Sequence, residues 1–349
     1  MASQSETIDP TLETRRDTKK GVQLSLIPAS SDEKAFKSLE DDNMNSMVEL
    51  NIPKPRADLL HGNSLDLINQ YGDGHFSLIV TSPPYFIGKE YDTSRCTKEF
   101  LKLHEELLPK LLRTLKPGGS LCWQVGYHVA DGALTPLDFL VHQAMSKHEE
   151  LVLRNRIVWM FRHGANCQKR FSGRHETILW YTKGDDYNFF LDDVRVPQLY
   201  PGKRHYKGDK KGEHSGNPLG KNPSDVWEEE LKSDVWDIPN VKARHIEKTG
   251  HPCQYPTALV GRLVKALCPK DGWVLDPFAG SGSTGVAAIL EGRNFVGFDT
   301  DEQYLTFAKE RIDAALAGNA KVREDKPVRK PQPNEAVSQR PDHFKSSKD

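Results

Sequence analysis

Ser82, Pro83, Pro84 and Tyr85 follow directly on the β-branched run Ile79-Val80-Thr81. Each proline lacks an N–H and fixes φ, so the pair ends any sheet ladder and stiffens the chain at that point. Such a stop presents a hydroxyl, a rigidly held carbonyl and an aromatic ring at one edge of a sheet. Taken alone, a Pro-Pro after a strand is an ordinary turn.

A second stretch, "WVLDPFAGSGSTGVAAILEG" at 273–292, joins a hydrophobic strand, a glycine-rich turn and a helix that opens with small residues. Gly280, Gly282 and Gly285 let a ligand and the helix approach the backbone closely. About 20 residues on, "NFVGFD" ends at Asp299, a carboxylate that can accept from ribose hydroxyls. The G-x-G-x-x-G spacing is that of dinucleotide folds, yet Asp276 directly before the turn would repel phosphates. Asp276 suits a ligand carrying a cation or an amino group. S-adenosylmethionine has a sulfonium and an α-amino group and no phosphate.

The elements that must position these residues read as an α/β alternation. "ADLLHGNSLDLI" (57–68) opens the ordered part, and "FSLIV" (76–80) is an apolar run of the kind buried in a parallel sheet. "FLKLHEELLPKLLRTLKPGG" (100–119) has leucines at helical spacing and a Pro-Gly-Gly stop. "SLCWQVG", a helix near 135–148, and the strands "IVWMF" and "TILWYTK" follow, and "PTALVGRLVKAL" is a further helix. Residues 1–50 are polar with weak periodicity and read as a flexible arm with one short helix near Glu33 to Leu39; 317–349 read as a flexible tail. Between 187 and 248 the composition shifts to Gly, Pro, Lys and Arg without period. Between 203 and 221 six Lys or Arg face only Asp209 and Glu213, a run that is either a solvated loop or an anion-binding surface.

Composition narrows the classes. A formal net charge of −1 over 349 residues gives no global pull toward nucleic acid or membrane, so any such attraction is local. No apolar run approaches the roughly 20 residues of a membrane span, and the N-terminus lacks a signal-peptide core. Five cysteines, odd in number and without C-x-x-C spacing, fit reduced thiols in a cytoplasmic protein and no metal site.

With "TSPPY" beside "DPFAGSGSTG", the chain resembles an amino-group DNA methyltransferase of the permuted (beta) class, in which the catalytic half precedes the cofactor half. The resemblance runs from about Leu59 to Ile312 and includes "LKPGG", "RFSGRHETILWYTK" and "HPCQYP". It implies a Rossmann-like methyltransferase fold with a mostly parallel, doubly wound sheet, built from a catalytic half (51–186), an inserted target-recognition region (187–248) and a cofactor half (249–316). It implies S-adenosylmethionine held by Asn63, Asp66, Asp276, Phe278, Ala279, Gly280, Gly282 and Asp299, Asn63 standing where the family often has an acid. It implies catalysis at Ser82, Pro83, Pro84 and Tyr85 on a flipped base in double-stranded DNA. Ser82 at the first motif position points to N4 of cytosine, where adenine-directed relatives usually carry Asp or Asn. The family's target-recognition position assigns phosphate contacts to Lys203, Arg204, Lys207, Lys210 and Lys211, with Tyr200 and His205 as stacking or packing residues. A cognate restriction endonuclease is a further partner of such enzymes.

Other readings stay open on the residues alone: an N6-adenine enzyme, an RNA or protein amino-methyltransferase, or an inactive DNA-binding module. Pro252-Cys253-Gln254 imitates the nucleophile motif of C5-cytosine methyltransferases. Its place before the cofactor motif, and the lack of a Glu-Asn-Val triplet, make Cys253 an ordinary packed thiol.

Overall fold

A computed structural model of the chain describes residues 54–85, 97–130, 132–161, 167–197, 202–217, 219–227, 238–242 and 244–323. The expected arm and its helix at 33–39, most of the expected tail, Phe86, Cys96 and Tyr200 lie outside these residues.

The strands are β1 (Ala57–His61), β2 (Phe76–Thr81), β3 (Leu115–Val125), β4 (Tyr127–Ala130), β5 (Ala133–Pro136), β6 (Leu151–Met160), β7 (His175–Lys183), β8 (Val226–Trp227), β9 (Trp273–Asp276) and β10 (Asn294–Asp299). The α-helices are α1 (Ser64–Leu67), α2 (Thr97–Thr114), α3 (Leu137–Met145), α4 (Thr257–Leu267), α5 (Ser283–Leu290) and α6 (Glu302–Leu316). Eight strands form one sheet in the order β1-β10-β9-β2-β3-β7-β6-β8, and β4 and β5 make a separate hairpin. Among the described residues of the eight-stranded sheet, only β7 runs against its neighbours. This is the mostly parallel, doubly wound sheet expected from the sequence.

The period of two along β2 sends its side chains to two cores. Leu78 and Val80 join Val274, Phe295 and the apolar faces of α4 and α5 on one side. Ile79 joins Leu121, Trp123, Leu275 and the leucines of α2 on the other. Every residue of β2 is buried, which is why "FSLIV" reads as a continuous apolar run.

Topology decides where a ligand can sit. From β9 the chain crosses to β10 on one side, and from β2 it crosses to β3 on the other, although β9 and β2 are paired neighbours (Ile79 opposite Leu275). Strands that part in opposite directions leave a crevice at their carboxyl ends. The two motifs of interest stand at those two ends. Permutation in sequence is undone in space.

The helix expected over 100–119 stops at Thr114. Leu115 is fully buried and pairs with Phe76, and the ladder then skips to Ser120 opposite Leu78, so Lys116–Gly119 form a bulge. Gly118 turns that bulge at φ 71°, where a Cβ would lie 2.4 Å from the Asp186 carbonyl oxygen. After α6, Ala320 and Val322 pack against the core and the Arg323 N–H donates to Glu247, so the segment up to Arg323 is part of the packed body. Among the described residues, no helix is long and apolar enough to cross a membrane. Cys122, Cys167, Cys253 and Cys268 are free thiols.

One buried histidine gives the fold a pH signature. His104 Nδ1 lies 2.6 Å from the Phe100 carbonyl, and Nε2 accepts from the Trp123 indole N–H at 2.9 Å. An indole can only donate, so Nε2 carries no proton and the ring is neutral. Burial pushes its pKa down to about 4. The unfolded chain, with His near 6.5, therefore binds more protons between these values, and stability rises with pH across that window. In urea unfolding between pH 4.5 and 6.5, His104→Gln is expected to flatten the pH slope by up to about 1.4 kcal/mol per pH unit. An unaltered slope would place the titration elsewhere.

Candidate active site

A cavity of about 400 Å³ opens at the carboxyl ends of β9 and β2. Its first wall is the glycine-rich turn. Asp299, at the end of β10, accepts the Gly280 N–H at 2.8 Å and the Asp301 N–H at 3.0 Å. The Thr300 N–H is a third backbone partner, and since a carboxylate has about four acceptor sites, one remains for a ligand hydroxyl. Gly280 lies at φ 49°, and a Cβ there would sit 3.0 Å from His251 Nε2, which itself packs edge-on against Tyr304 at 4.4 Å. Phe278, Ala279, His251 and Tyr304 complete an apolar and aromatic flank. Asn63 caps α1 by accepting the Leu65 N–H at 2.9 Å and lines the same wall.

The donor set identifies the kind of ligand. Among the described residues lining the cavity there is no Lys or Arg, while Asp299 and Glu176 both face it. A pyrophosphate would meet two carboxylates and no cation; a sulfonium with ribose hydroxyls and an adenine fits. The site suits S-adenosylmethionine.

The second wall is the Ser-Pro-Pro-Tyr stretch. Ser82, Pro83, Pro84 and Tyr85 all line the cavity. Tyr85 Oη accepts the Gly126 N–H at 2.9 Å and is hydrogen-bonded to the Ser82 side chain. Burial, and secondly the Glu176 carboxylate, hold the Tyr85 phenol well above its ordinary pKa, so it keeps its proton. Trp159 and Phe161 from the end of β6, edge-on at 5.2 Å, close the far side.

Three of the residues expected to hold the cofactor sit elsewhere. Asp276 is fully buried beneath the turn and does not line the cavity. Its Oδ1 accepts from Thr81 Oγ1 (2.6 Å) and the Phe278 N–H (3.1 Å); its Oδ2 accepts from Tyr255 Oη (2.8 Å) and Thr284 Oγ1 (2.6 Å). Burial raises its pKa and these four bonds oppose the rise. Asp276 thus ties the end of β2 to α5 and to the segment before α4, with no oxygen left for a ligand's ammonium group. Asp66 is exposed on α1, away from the cavity. Gly282 caps α5 at φ 75°, and its missing Cβ makes room for α6, since a Cβ would lie 2.8 Å from Ala308 Cα. The turn is braced from behind by Arg311, which donates to the Ser281 carbonyl (2.6 Å) and pairs with buried Glu247 at 3.3 Å.

The five basic residues at 203–211 are exposed on a compact hairpin. Arg204 and His214 form its bridge, His205 N–H donates to the Glu213 carbonyl at 2.9 Å, and Ser215 N–H to that of Lys203 at 2.9 Å. Tyr206 is exposed beside Lys207. None of the hairpin lines the cavity.

Cys253 is a correction. Expected to be packed, it is exposed and lines the cavity. Gln124, Trp159, Phe161, Asn240 and Val241 also line the cavity, without a signal in the sequence, while the family resemblance places His175-Glu176 in a motif near the target-base pocket and gives Glu176 no role there. Glu176 carried a legible signal: a carboxylate entering an otherwise buried strand needs a reason to be there. Cys253→Ser is expected to change turnover less than threefold in a methyl-transfer assay. A variant without activity would give the thiol a chemical part.

A glycine-rich turn and a Ser-Pro-Pro-Tyr stop facing one cavity at the switch point of this sheet define an S-adenosylmethionine-dependent methyltransferase. The sequence profile of the N6/N4 DNA methylase family matches residues 76–310. The chain is 42% identical over 277 residues to the type II methyltransferase M.BglII of Bacillus subtilis, covering 77% of this chain and 73% of that one. It is 29% identical to the DNA adenine methyltransferase YhdJ of Escherichia coli (strain K12), covering 74% and 83%. The fold matches that of the PvuII DNA methyltransferase (cytosine-N4-specific) with a TM-score of 0.58 at 18% identity, over 76% of this chain and 95% of that one. The chain belongs to the DNA methylase family and is a DNA amino-methyltransferase.

Proposed function

We propose that this protein methylates N4 of cytosine at a specific site in duplex DNA. The observation that carries the reading is Ser82 at the end of β2, which with Pro83 lines the same cavity as the glycine-rich turn. When bound, S-adenosylmethionine supplies a methyl group on a sulfonium. Asp299 would hold a ribose hydroxyl, and Asn63, Phe278, Ala279 and Gly280 would flank the rest.

An exocyclic amine on a pyrimidine is a poor nucleophile because its lone pair is delocalised into the ring. Two acceptors aimed at its N–H bonds favour the pyramidal form and the positive charge that grows on nitrogen. Ser82 Oγ and the Pro83 oxygen form that pair, and proline stiffness with the Tyr85 bond keeps them aimed. The ring must leave the duplex to reach them. Tyr85, Trp159 and Phe161 offer aromatic faces for it, each stack typically worth about 1–3 kcal/mol.

On this reading the hairpin at 203–215 grips phosphates. Neutralising Lys203, Arg204, Lys207, Lys210 and Lys211 together is expected to flatten the dependence of log Kd on log salt by roughly one unit for each phosphate no longer neutralised, with cofactor affinity unchanged. An unaltered slope would move the DNA surface off the hairpin. The relatives' description as type II methyltransferases supports a setting in which the mark protects DNA from a cognate endonuclease. The base itself is tested by nucleoside mass spectrometry of duplex DNA treated with isotope-labelled cofactor: label in N4-methylcytosine is expected, and label only in N6-methyladenine would overturn the assignment.

A further inference from the structure

Gln124 and Glu176 are unused by this mechanism, although both line the cavity beside Ser82 and Tyr85. They lie near the ends of antiparallel neighbours β3 and β7, where Gln124 is opposite Ile178 and Val125 opposite Thr177. Residues two apart share a face, so Gln124 and Glu176 are diagonal neighbours on one side of the sheet. Gln124 is only 5% exposed, and its Nε2 donates to Glu176 Oε2. Gly126 leaves the space for this: a Cβ there would lie 3.3 Å from Glu176 Oε1.

We propose that Gln124, oriented by Glu176, reads the ring nitrogen next to the target amine. This rests on the reading of the cavity as the site of the flipped base. As a carboxylate, Glu176 accepts only, so it dictates which end of the Gln124 amide faces it. The NH₂ must point to Glu176, which uses one hydrogen and leaves the second to donate.

The target needs such a donor. With the amine held by Ser82 Oγ and the Pro83 oxygen, the next atom on the base edge is N3 of cytosine, an acceptor that carries no hydrogen. Two other donors that line the cavity are engaged elsewhere: the Trp159 indole N–H goes to the Ile238 carbonyl at 2.8 Å and the Tyr255 hydroxyl goes to Asp276. Thymine is protonated at N3 and carries an oxygen in place of the amine, so the same donor would face it unpaired and repelled. Gln124 is thus a specificity-determining residue in this account, and Glu176 a positioning residue that acts through it.

The test compares two duplex oligonucleotides carrying the methylated site, one with the target cytosine and one with 3-deazacytosine, in which C–H replaces N3. The intrinsic change in amine reactivity is common to all enzyme variants and cancels when they are compared. The wild-type enzyme is expected to prefer cytosine over the deaza base in kcat/KM by about tenfold more than Gln124→Leu does. Gln124→Leu should raise KM for DNA and leave cofactor Kd unchanged. Glu176→Gln, which keeps shape but lets the amide of Gln124 turn over, should lose part of the same preference. Equal preference ratios in wild type and both variants would overturn the proposal. Equal losses on both duplexes, with a lowered Tm, would do so too, because they mark a purely structural pair. Failure of the wild type to methylate the cytosine duplex at all would instead overturn the base assignment on which the proposal rests.

Discussion

Ser82→Ala is expected to lower turnover by about 10²–10³-fold, the usual cost of removing one preorganised polar group aimed at developing charge. Cofactor affinity should stay within about twofold, since the Ser82 hydroxyl acts on charge that exists only in the transition state. The substitution removes one of two acceptors and leaves the Pro83 carbonyl. It also deprives Tyr85 of a hydrogen-bond partner, though the Gly126 N–H still holds the phenol in place. Single-turnover kinetics at saturating DNA separate this loss from weaker binding. A variant with unchanged turnover would remove Ser82 from the chemistry.

Asp276→Ala is expected to act on the fold first. Four donors converge on this carboxylate from β2, α5, the segment before α4 and the turn itself, all in a fully buried place. Truncation leaves the Phe278 N–H, two threonine hydroxyls and the Tyr255 hydroxyl without their acceptor. The Tyr255 and Thr284 hydroxyls, 2.5 Å apart, can satisfy each other in part. Against that partial rescue, buried unpaired donors cost about 1–3 kcal/mol each, so a net loss of about 3–5 kcal/mol is expected. The urea midpoint reads it. A variant of undiminished stability that had lost only cofactor affinity would return Asp276 to direct contact with the ligand.

Asp276 also marks where sequence reading reaches its limit. The "DPFAGSGSTG" motif is local, so the turn, the positive-φ glycines and the strand before them are legible in it. Whether Asp276 faces a ligand or the protein depends on Thr81, Tyr255 and Thr284, and the first two are brought to it only by the tertiary fold. The same holds for the cavity's far wall. Trp159, Phe161 and Gln124 end strands that look like any other apolar strand, and nothing in their own spacing says which end meets Ser82. The fold was more readable than the site because alternation and apolar runs are periodic signals, while a cavity is made by loops from distant segments. The bulge at Lys116–Gly119 escaped for a related reason: Pro-Gly-Gly marks a stop, but only pairing of Leu115 with Phe76 fixes where the helix ends.

The central claim, a methyl group placed on the cytosine amine through Ser82, is tested most directly by single-molecule sequencing of DNA from cells expressing the protein. The account predicts N4-methylcytosine at one recurring sequence context, and loss of that mark when the Ser82→Ala protein is expressed instead. Modified adenines in place of cytosines, or marks that persist undiminished without the Ser82 hydroxyl, would contradict it.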